Sequence, residues 1–234
     1  MIELKNVKKA YGATKALQGI NLTLGNGKII GIAGENGSGK STLLKSIAGV
    51  SKISSGSILI DGKPVCRKNA EEIAYLPDAD MFYSYFTVQQ LFFYYKSQYT
   101  DFNETKAKEV LDFLEVSQTS KMKNLSKGMR GRAKMAATLG RESRYYLMDE
   151  PFSGLDPMVR GDLVKGLIQF TDLERQTLIL STHEIREVET LLDELVLLKS
   201  GKVLAHRQLD EIRDETGMDM VDWMSKLTKA GAAG

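Results

Sequence analysis

Two short stretches carry residues suited to phosphate chemistry. Gly34-Glu35-Asn36-Gly37-Ser38-Gly39-Lys40-Ser41 fits the pattern G-x-x-x-x-G-K-[ST]. Glycines let a backbone wrap closely around phosphate oxygens, because they adopt conformations closed to other residues. The amide hydrogens of such a loop, and of the helix behind it, present partial positive charge. Lys40 is placed to reach β- and γ-phosphates, and Ser41 to hold Mg2+ through its hydroxyl. Asn36, Gly37, Ser38, Gly39 and Thr42 complete the cradle. The second stretch, Tyr145-Tyr146-Leu147-Met148-Asp149-Glu150, is an apolar run ending in two carboxylates. Adjacent carboxylates repel unless a cation lies near. Beside a phosphate loop, Asp149 would help hold Mg2+ and Glu150 would orient or deprotonate an attacking water. Taken alone, the pair reads equally well as an exposed acidic turn before Pro151.

Such groups need a buried strand ahead of the loop and a helix behind it. Residues 28–33 are continuously apolar enough for the strand, and a helix is expected from 40 to 48, ended near Gly49. Residues 2–7 and 20–24 mix apolar and polar side chains as half-buried strands do. Residues 56–60 read as a strand with a turn at Asp61-Gly62, and 73–76 as a short buried strand stopped by Pro77. From 87 to 140 the patterns are helical. Residues 145–148 resume the strand pattern, and Asp156-Pro157 opens a helix with Asp as N-cap. Further strands are expected at 177–181, 194–198 and 201–205. The stretch 209–229 reads as helical or loosely packed, and 229–234 as frayed. No repeat is visible, so the chain holds one nucleotide-binding unit. The expected organisation is α/β: a core of residues 1–78 and 144–234 with an N-terminal antiparallel β subdomain, and an inserted α-helical subdomain at 79–143.

Length and composition suit one globular unit. The 234 residues suffice for a substantial core, and 42% hydrophobic with 26% charged content is ordinary. A formal net charge of +2 gives no dominant basic field, which argues against a nucleic-acid partner. Cys66 is the sole cysteine, so no internal disulfide can form, in keeping with a reducing cytoplasm. The N-terminus has no signal-peptide pattern. No stretch reaches the roughly 20 apolar residues that span a bilayer, so work at a membrane would go through a partner or a peripheral contact.

The two phosphate motifs together indicate a P-loop NTPase, and a third narrows the class. Leu125-Ser126-Lys127-Gly128-Met129 resembles the LSGGQ signature of ABC ATPases. Residues 149–156 look like the joined Walker B and D-loop of that family. Ser181-Thr182-His183 is similar to its switch-histidine motif, and Tyr11 to the aromatic residue that stacks on adenine. The resemblance covers residues 1–205. It implies a P-loop NTPase (RecA-like) core, ATP and Mg2+ as ligands, and ATP hydrolysis coupled to transport. It also implies a head-to-tail pair with a second ATPase subunit, the same or different. ATP on Lys40 of one subunit would be covered by Ser126 and Gly128 of the other; His183 would sense the γ-phosphate and Asp156 would link the two sites. An integral membrane permease would dock near residues 79–99, placing the chain on the cytoplasmic face of the cell membrane. The L-S-x-G-M form resembles ATPases paired with ABC-2-type membrane subunits, many of them exporters. A soluble ABC ATPase acting on nucleic acid or ribosomes is the alternative, although neither heptads nor a second phosphate loop is present. A P-loop kinase or GTPase would leave the signature unexplained, and no N-K-x-D pattern occurs.

Departures and ambiguous residues remain. Where the family places Gln after the strand at 73–76, this chain has Asp78. Asp78 is expected to approach Mg2+ or the lytic water, or else only to cap the next turn. Lys127 and Met129 replace Gly and Gln of the signature. Lys127, Arg130, Arg132 and Lys134 read as a solvated helix face or, for some of them, as neighbours of nucleotide or partner, and His206 reads as a surface residue. Tyr11 is either an adenine stack or an ordinary strand-end aromatic. The chain has eight Phe, nine Tyr and one Trp, and nine of these fall at Phe82, Tyr83, Tyr85, Phe86, Phe92, Phe93, Tyr94, Tyr95 and Tyr99. They either pack the helical lobe or line a partner's dock.

Overall fold

Alternation at the N-terminus produces a long hairpin. In the computed structural model, which describes residues 1–66, 71–79 and 83–230, β1 (Ile2–Tyr11) and β2 (Thr14–Leu24) pair antiparallel. Phe82 and residues 231–234 lie outside the described residues. Both strands outrun the expected 2–7 and 20–24. Their extra length is mostly polar and exposed, held by cross-strand backbone bonds, so apolar alternation did not reveal it. β3 (Ile29–Ala33) is buried at every residue and leads through the glycine loop into α1 (Lys40–Ile47). β4 (Ser55–Ile60) turns through Asp61 and Gly62, at φ 48° and 77°, into the two-residue β5 (Lys63–Pro64). β6 (Ile73–Leu76) stops at Pro77.

Three helices follow: α2 (Val88–Gln98), α3 (Glu104–Phe113) and α4 (Lys127–Leu139). Each begins on a side-chain cap, respectively Thr87 with Gln90 closing a capping box, Asn103, and Ser126. Such a cap contributes about 1 kcal/mol. β7 (Tyr145–Asp149) returns to the sheet, and α5 (Pro157–Gln169) starts on an Asp156 cap with proline in its first turn. β8 (Thr177–Thr182), β9 (Glu194–Lys199) and β10 (Lys202–Gln208) precede α6 (Leu209–Thr216) and α7 (Met220–Ala230). The tail is therefore helical, with Leu209, Ile212 and Met220 buried. Among the described residues no helix is long and apolar enough to cross a membrane.

Two sheets result. One is antiparallel in the order β2-β1-β4-β5; the other runs β10-β9-β3-β8-β7-β6, parallel from β9 to β6 with β10 antiparallel at its edge. Because side chains alternate along a strand, the six-stranded sheet separates two hydrophobic clusters. Ile30, Ile32, Tyr145, Leu147, Ile179 and Val196 face α1 and the antiparallel sheet. Ile29, Tyr146, Met148, Leu178, Leu180 and Leu195 face the helical side. Burial on both faces is why these strands read as near-continuous apolar runs.

The structure decides three readings of side-chain placement. Of the aromatic window, Phe92 and Tyr95 are buried, Phe86 and Tyr99 half-buried, and Tyr83, Tyr85, Phe93 and Tyr94 exposed, so the group divides between core and surface. The basic cluster divides too: Lys127 is exposed, Arg130 and Arg132 are half-buried and Lys134 is buried. Arg132 bonds the Leu114 carbonyl at 2.8 Å and pairs with Asp162, while Lys134 is buried. Their spacing along α4 turns them inward past its first turn, where only paired cations survive. His206 is an exposed residue, as expected, and lies 3.0 Å from Glu194, which Lys28 also pairs. Burial pushes the Glu194 carboxyl up, but Lys28 and His206 hold it below its ordinary value.

Arg141 fastens the helices to the sheet. It is 2% exposed, donates to Asp101 at 2.6 Å and to the Ile73 carbonyl at 3.3 Å, and lies 3.8 Å over the Tyr99 ring. Arg141→Met should destabilise the fold by about 3 kcal/mol or more, since removing one partner strands the other charge. Chemical denaturation followed by circular dichroism measures it.

Candidate functional site

Strand register assembles the site. β3 pairs with β8 so that Ala33 meets Thr182; β8 pairs with β7 so that Ser181 meets Asp149; β7 pairs with β6 so that Met148 meets Leu76. The residues just beyond those four strand ends, Gly34, His183, Glu150 and Asp78, therefore emerge at one edge of one sheet. In open parallel sheets ligands bind outside such carboxyl ends.

The phosphate loop is folded too tightly for side chains at two glycines. A Cβ on Gly34 (φ 154°) would stand 2.4 Å from the Leu198 carbonyl oxygen and 2.6 Å from Ser38 Oγ. A Cβ on Gly39 (φ 110°) would stand 2.7 Å from the Ala16 carbonyl oxygen. Gly39 also occupies the cap position of α1 without any side-chain cap, so the first amides of α1 are free for an anion. Ser38 Oγ is buried with no hydrogen-bond partner, an orphan that a phosphate oxygen would satisfy.

Charge is arranged around this loop. Lys40 is 5% exposed; its Nζ donates to the Gly34 carbonyl at 2.8 Å and lies 3.2 Å from Glu150 Oε1. Asp149 is 2% exposed and accepts from Ser41 Oγ and Ser181 Oγ, both at 2.8 Å, and from the Tyr75 hydroxyl at 3.4 Å. Burial and the Asp149 charge raise the Tyr75 pKa, so Tyr75 stays a neutral donor. Glu150 sits at φ 49°, a left-handed backbone that costs of order 1–3 kcal/mol for a non-glycine residue. Its amide donates to Ser181 Oγ at 2.9 Å, and its Oε2 lies 2.8 Å from His183 Nδ1. An ionised carboxylate only accepts, so His183 carries its proton on Nδ1.

A cavity of about 540 Å³ joins these groups. Its walls include Asn36, Gly37, Gly39, Lys40, Ser41, Thr42, Asp78, Glu150 and His183. The structure thus brings together loop, strand-end carboxylates and switch histidine. Six sequence candidates are absent from its walls, of which Ser38 and Asp149 are buried. Tyr11 is exposed at the end of β1 with its hydroxyl 3.2 Å from Ser51. Ser126 accepts from the Met129 amide at 3.2 Å as a helix cap, Gly128 packs against Val159, and Asp156 caps α5. Sequence reasoning missed Thr14, Lys15, Ala16 and Ser153, which also line the cavity, and the roles of Ser181 and Tyr75. Ser181 had a legible signal, its place one strand from Asp149; Thr14 to Ala16 had none, since only the hairpin's packing brings them near.

The donor set around Asp149 is oxygen only, as hard Mg2+ prefers. Among the described residues no three His, Cys, Asp or Glu form a cage of their own. That suits an ion held by one or two carboxylates together with a ligand's phosphates.

Comparison with known proteins agrees with this arrangement. The sequence profile of the family described as ABC transporter matches residues 17–153. The ABC transporter ATP-binding protein YtrB of Bacillus subtilis is 29% identical over 92% of this chain and 74% of its own length. The linearmycin resistance ATP-binding protein LnrL of the same organism is 30% identical over 94% and 73%. A probable sulfate/thiosulfate import ATP-binding protein of Chlorella vulgaris is 32% identical over 91% and 93%. A solved ATP-binding subunit of an ABC transporter superposes with a TM-score of 0.84 at 27% identity, covering 97% of this chain and 99% of that one.

One carboxylate beside the site titrates near neutrality. Glu187, four residues after His183, pairs with Arg160 of α5, which also donates to the Leu155 carbonyl at 3.2 Å. Burial, then Glu184, push its pKa from 4.5 up to about 7, against the pull of Arg160. Between those two values the folded chain holds a proton that the unfolded chain has lost. Stability contributed here therefore falls as pH rises through that window and is level above it. Glu187→Gln should remove this contribution. The difference in denaturation midpoint, wild type minus variant, is expected to be more positive at pH 5 than at pH 8.

Proposed function

The chain belongs to the ABC transporter family of ATP-binding, ATP-hydrolysing subunits, and we propose that it powers export through a separate membrane permease by ATP-driven pairing of two nucleotide faces. The observation that carries this reading is the split between the two halves of the site. Lys40, Ser41, Glu150 and His183 share one cavity, while the signature cap Ser126 lies outside it on the same chain. An end of α4 that does not reach its own phosphate loop is free to cover another subunit's. A related cassette, solved as a dimer with ADP and Pi, has the same fold at a TM-score of 0.80. Relatives are named for export and for import alike; the L-S-x-G-M signature and the resistance protein LnrL favour export.

In this mechanism ATP lies in the cradle of residues 36–42, with adenine stacked on Tyr11. Lys40, already held in the cradle by the Gly34 carbonyl, turns its ammonium to the β- and γ-phosphates. Ser41 and Asp149 would hold Mg2+, with Asp78 as a further oxygen donor, and the ion would offset phosphate charge. Glu150 orients the attacking water and takes its proton. His183 fixes the Glu150 carboxylate from the other side and registers the γ-phosphate. The second subunit closes the site with Ser126, Gly128 and the positive end of α4, and Asp156 links the paired sites. Residues 79–143 act as a signature-bearing lobe against the core of 1–78 and 144–234. Tyr83, Tyr85, Phe93 and Tyr94 form its exposed aromatic patch, with Tyr85 63% exposed, and receive the permease on the cytoplasmic face of the membrane.

Glu150→Gln should lower ATP turnover by about 100-fold or more while retaining bound ATP and accumulating a dimer in light scattering. A monomer at saturating ATP would remove the pairing mechanism. Tyr85→Ser should keep the fold and basal hydrolysis yet lose co-purification with a membrane permease. Unchanged co-purification would move the dock elsewhere.

A further inference from the structure

We propose that Lys134 is a positioning residue for hydrolysis: its buried ammonium pins the backbone of Asp78 to the signature helix, so that α4 and the carboxylate at the nucleotide site move together.

Lys134 lies in the second turn of α4 and is 7% exposed. An ammonium removed from water is retained only where oxygens replace its hydration. Here Nζ donates to the Asp78 carbonyl at 3.0 Å and to the Ala79 carbonyl at 3.4 Å. Those carbonyls belong to the chain just past β6, after Pro77 has ended the strand, so the sheet ladder does not fix them. Lys134 fixes them from the helix instead. It also lines a second cavity, of about 240 Å³, with Asp78, Asp149 and Glu150. Asp78 is shared between this cavity and the larger nucleotide cavity. Three carboxylates at one strand edge repel one another, and a fixed cation behind them reduces that repulsion. The consequence is directional. Whatever shifts α4, such as a second subunit's triphosphate at Ser126, shifts residue 78 by the same hydrogen bonds.

The inference rests on the roles given above to Asp78 and Glu150, and the experiment separates its failure from theirs. Steady-state hydrolysis and binding of a fluorescent ATP analogue are measured on the full chain as wild type, Lys134→Met, Asp78→Ala and the double variant. Thermal unfolding is followed for each. Absence of hydrolysis in the wild type would count against the ATPase reading, not against Lys134 alone. With the wild type active, Lys134→Met is expected to lower kcat by about 10-fold or more, as a misplaced group does, with nucleotide Kd within twofold. In the Asp78→Ala background the same change should have little further effect, because coupled residues are not additive. Unchanged kcat, a parallel loss of affinity, or additive effects in the double variant would overturn the proposal. Should Lys134→Met fail to fold, Lys134→Ala, which also removes the donor, replaces it: kcat reduced at unchanged Kd and non-additive with Asp78→Ala supports the pinning role, and any other pattern overturns it.

Discussion

A buried, ionised carboxylate is the constraint around which the rest is organised. Asp149 is almost fully removed from water at the end of a central strand, and an isolated charge there would be prohibitively costly. Its stability as a carboxylate depends on donors from three separate elements: Ser41 from α1, Ser181 from β8 and Tyr75 from β6. β6 and β8 are held in register with β7 by the sheet and α1 packs against it, so the site cannot form before the sheet does. The same geometry forces Glu150, the next residue, into a left-handed backbone with its amide on Ser181 and its side chain between Lys40 and His183. The positive ends of Lys40 and of α1 then meet a negative strand edge. A triphosphate with its metal fits between them because each side lacks what the ligand carries.

Much of the fold was legible in the sequence where burial is two-sided. Strands 29–33, 145–149 and 177–182 are buried throughout and mostly apolar because both faces are covered, and their ends could be placed within a residue or two. The turn at Asp61-Gly62 and the caps at Asp156 and Ser126 rest on local chemistry, which a sequence displays directly. What escaped was structure made by pairing rather than burial. The outer half of the first hairpin and the two-residue β5 offer water-facing side chains with no period to detect.

The same division holds in the site. Loop glycines, Lys40 and the Asp149–Glu150 pair announced themselves because phosphate chemistry demands those residue types at that spacing. Ser181, Tyr75 and the Thr14–Ala16 segment did not, since each acts only through proximity created by the sheet. Charged residues misled most. Lys134 and Arg132 look like surface in a one-dimensional reading, because nothing local signals that a carbonyl or a carboxylate waits for them across the fold. Asp78 drew notice as a departure, and the lysine that binds its carbonyl lies 56 residues away.

The six-stranded sheet acts as a bulkhead between two oily compartments. Neighbours in sequence such as Leu147 and Met148 belong to opposite sides of it. Outside the Lys134 contact, side chains that pack only the helical compartment can therefore change size while the apolar packing behind the phosphate loop stays as it is.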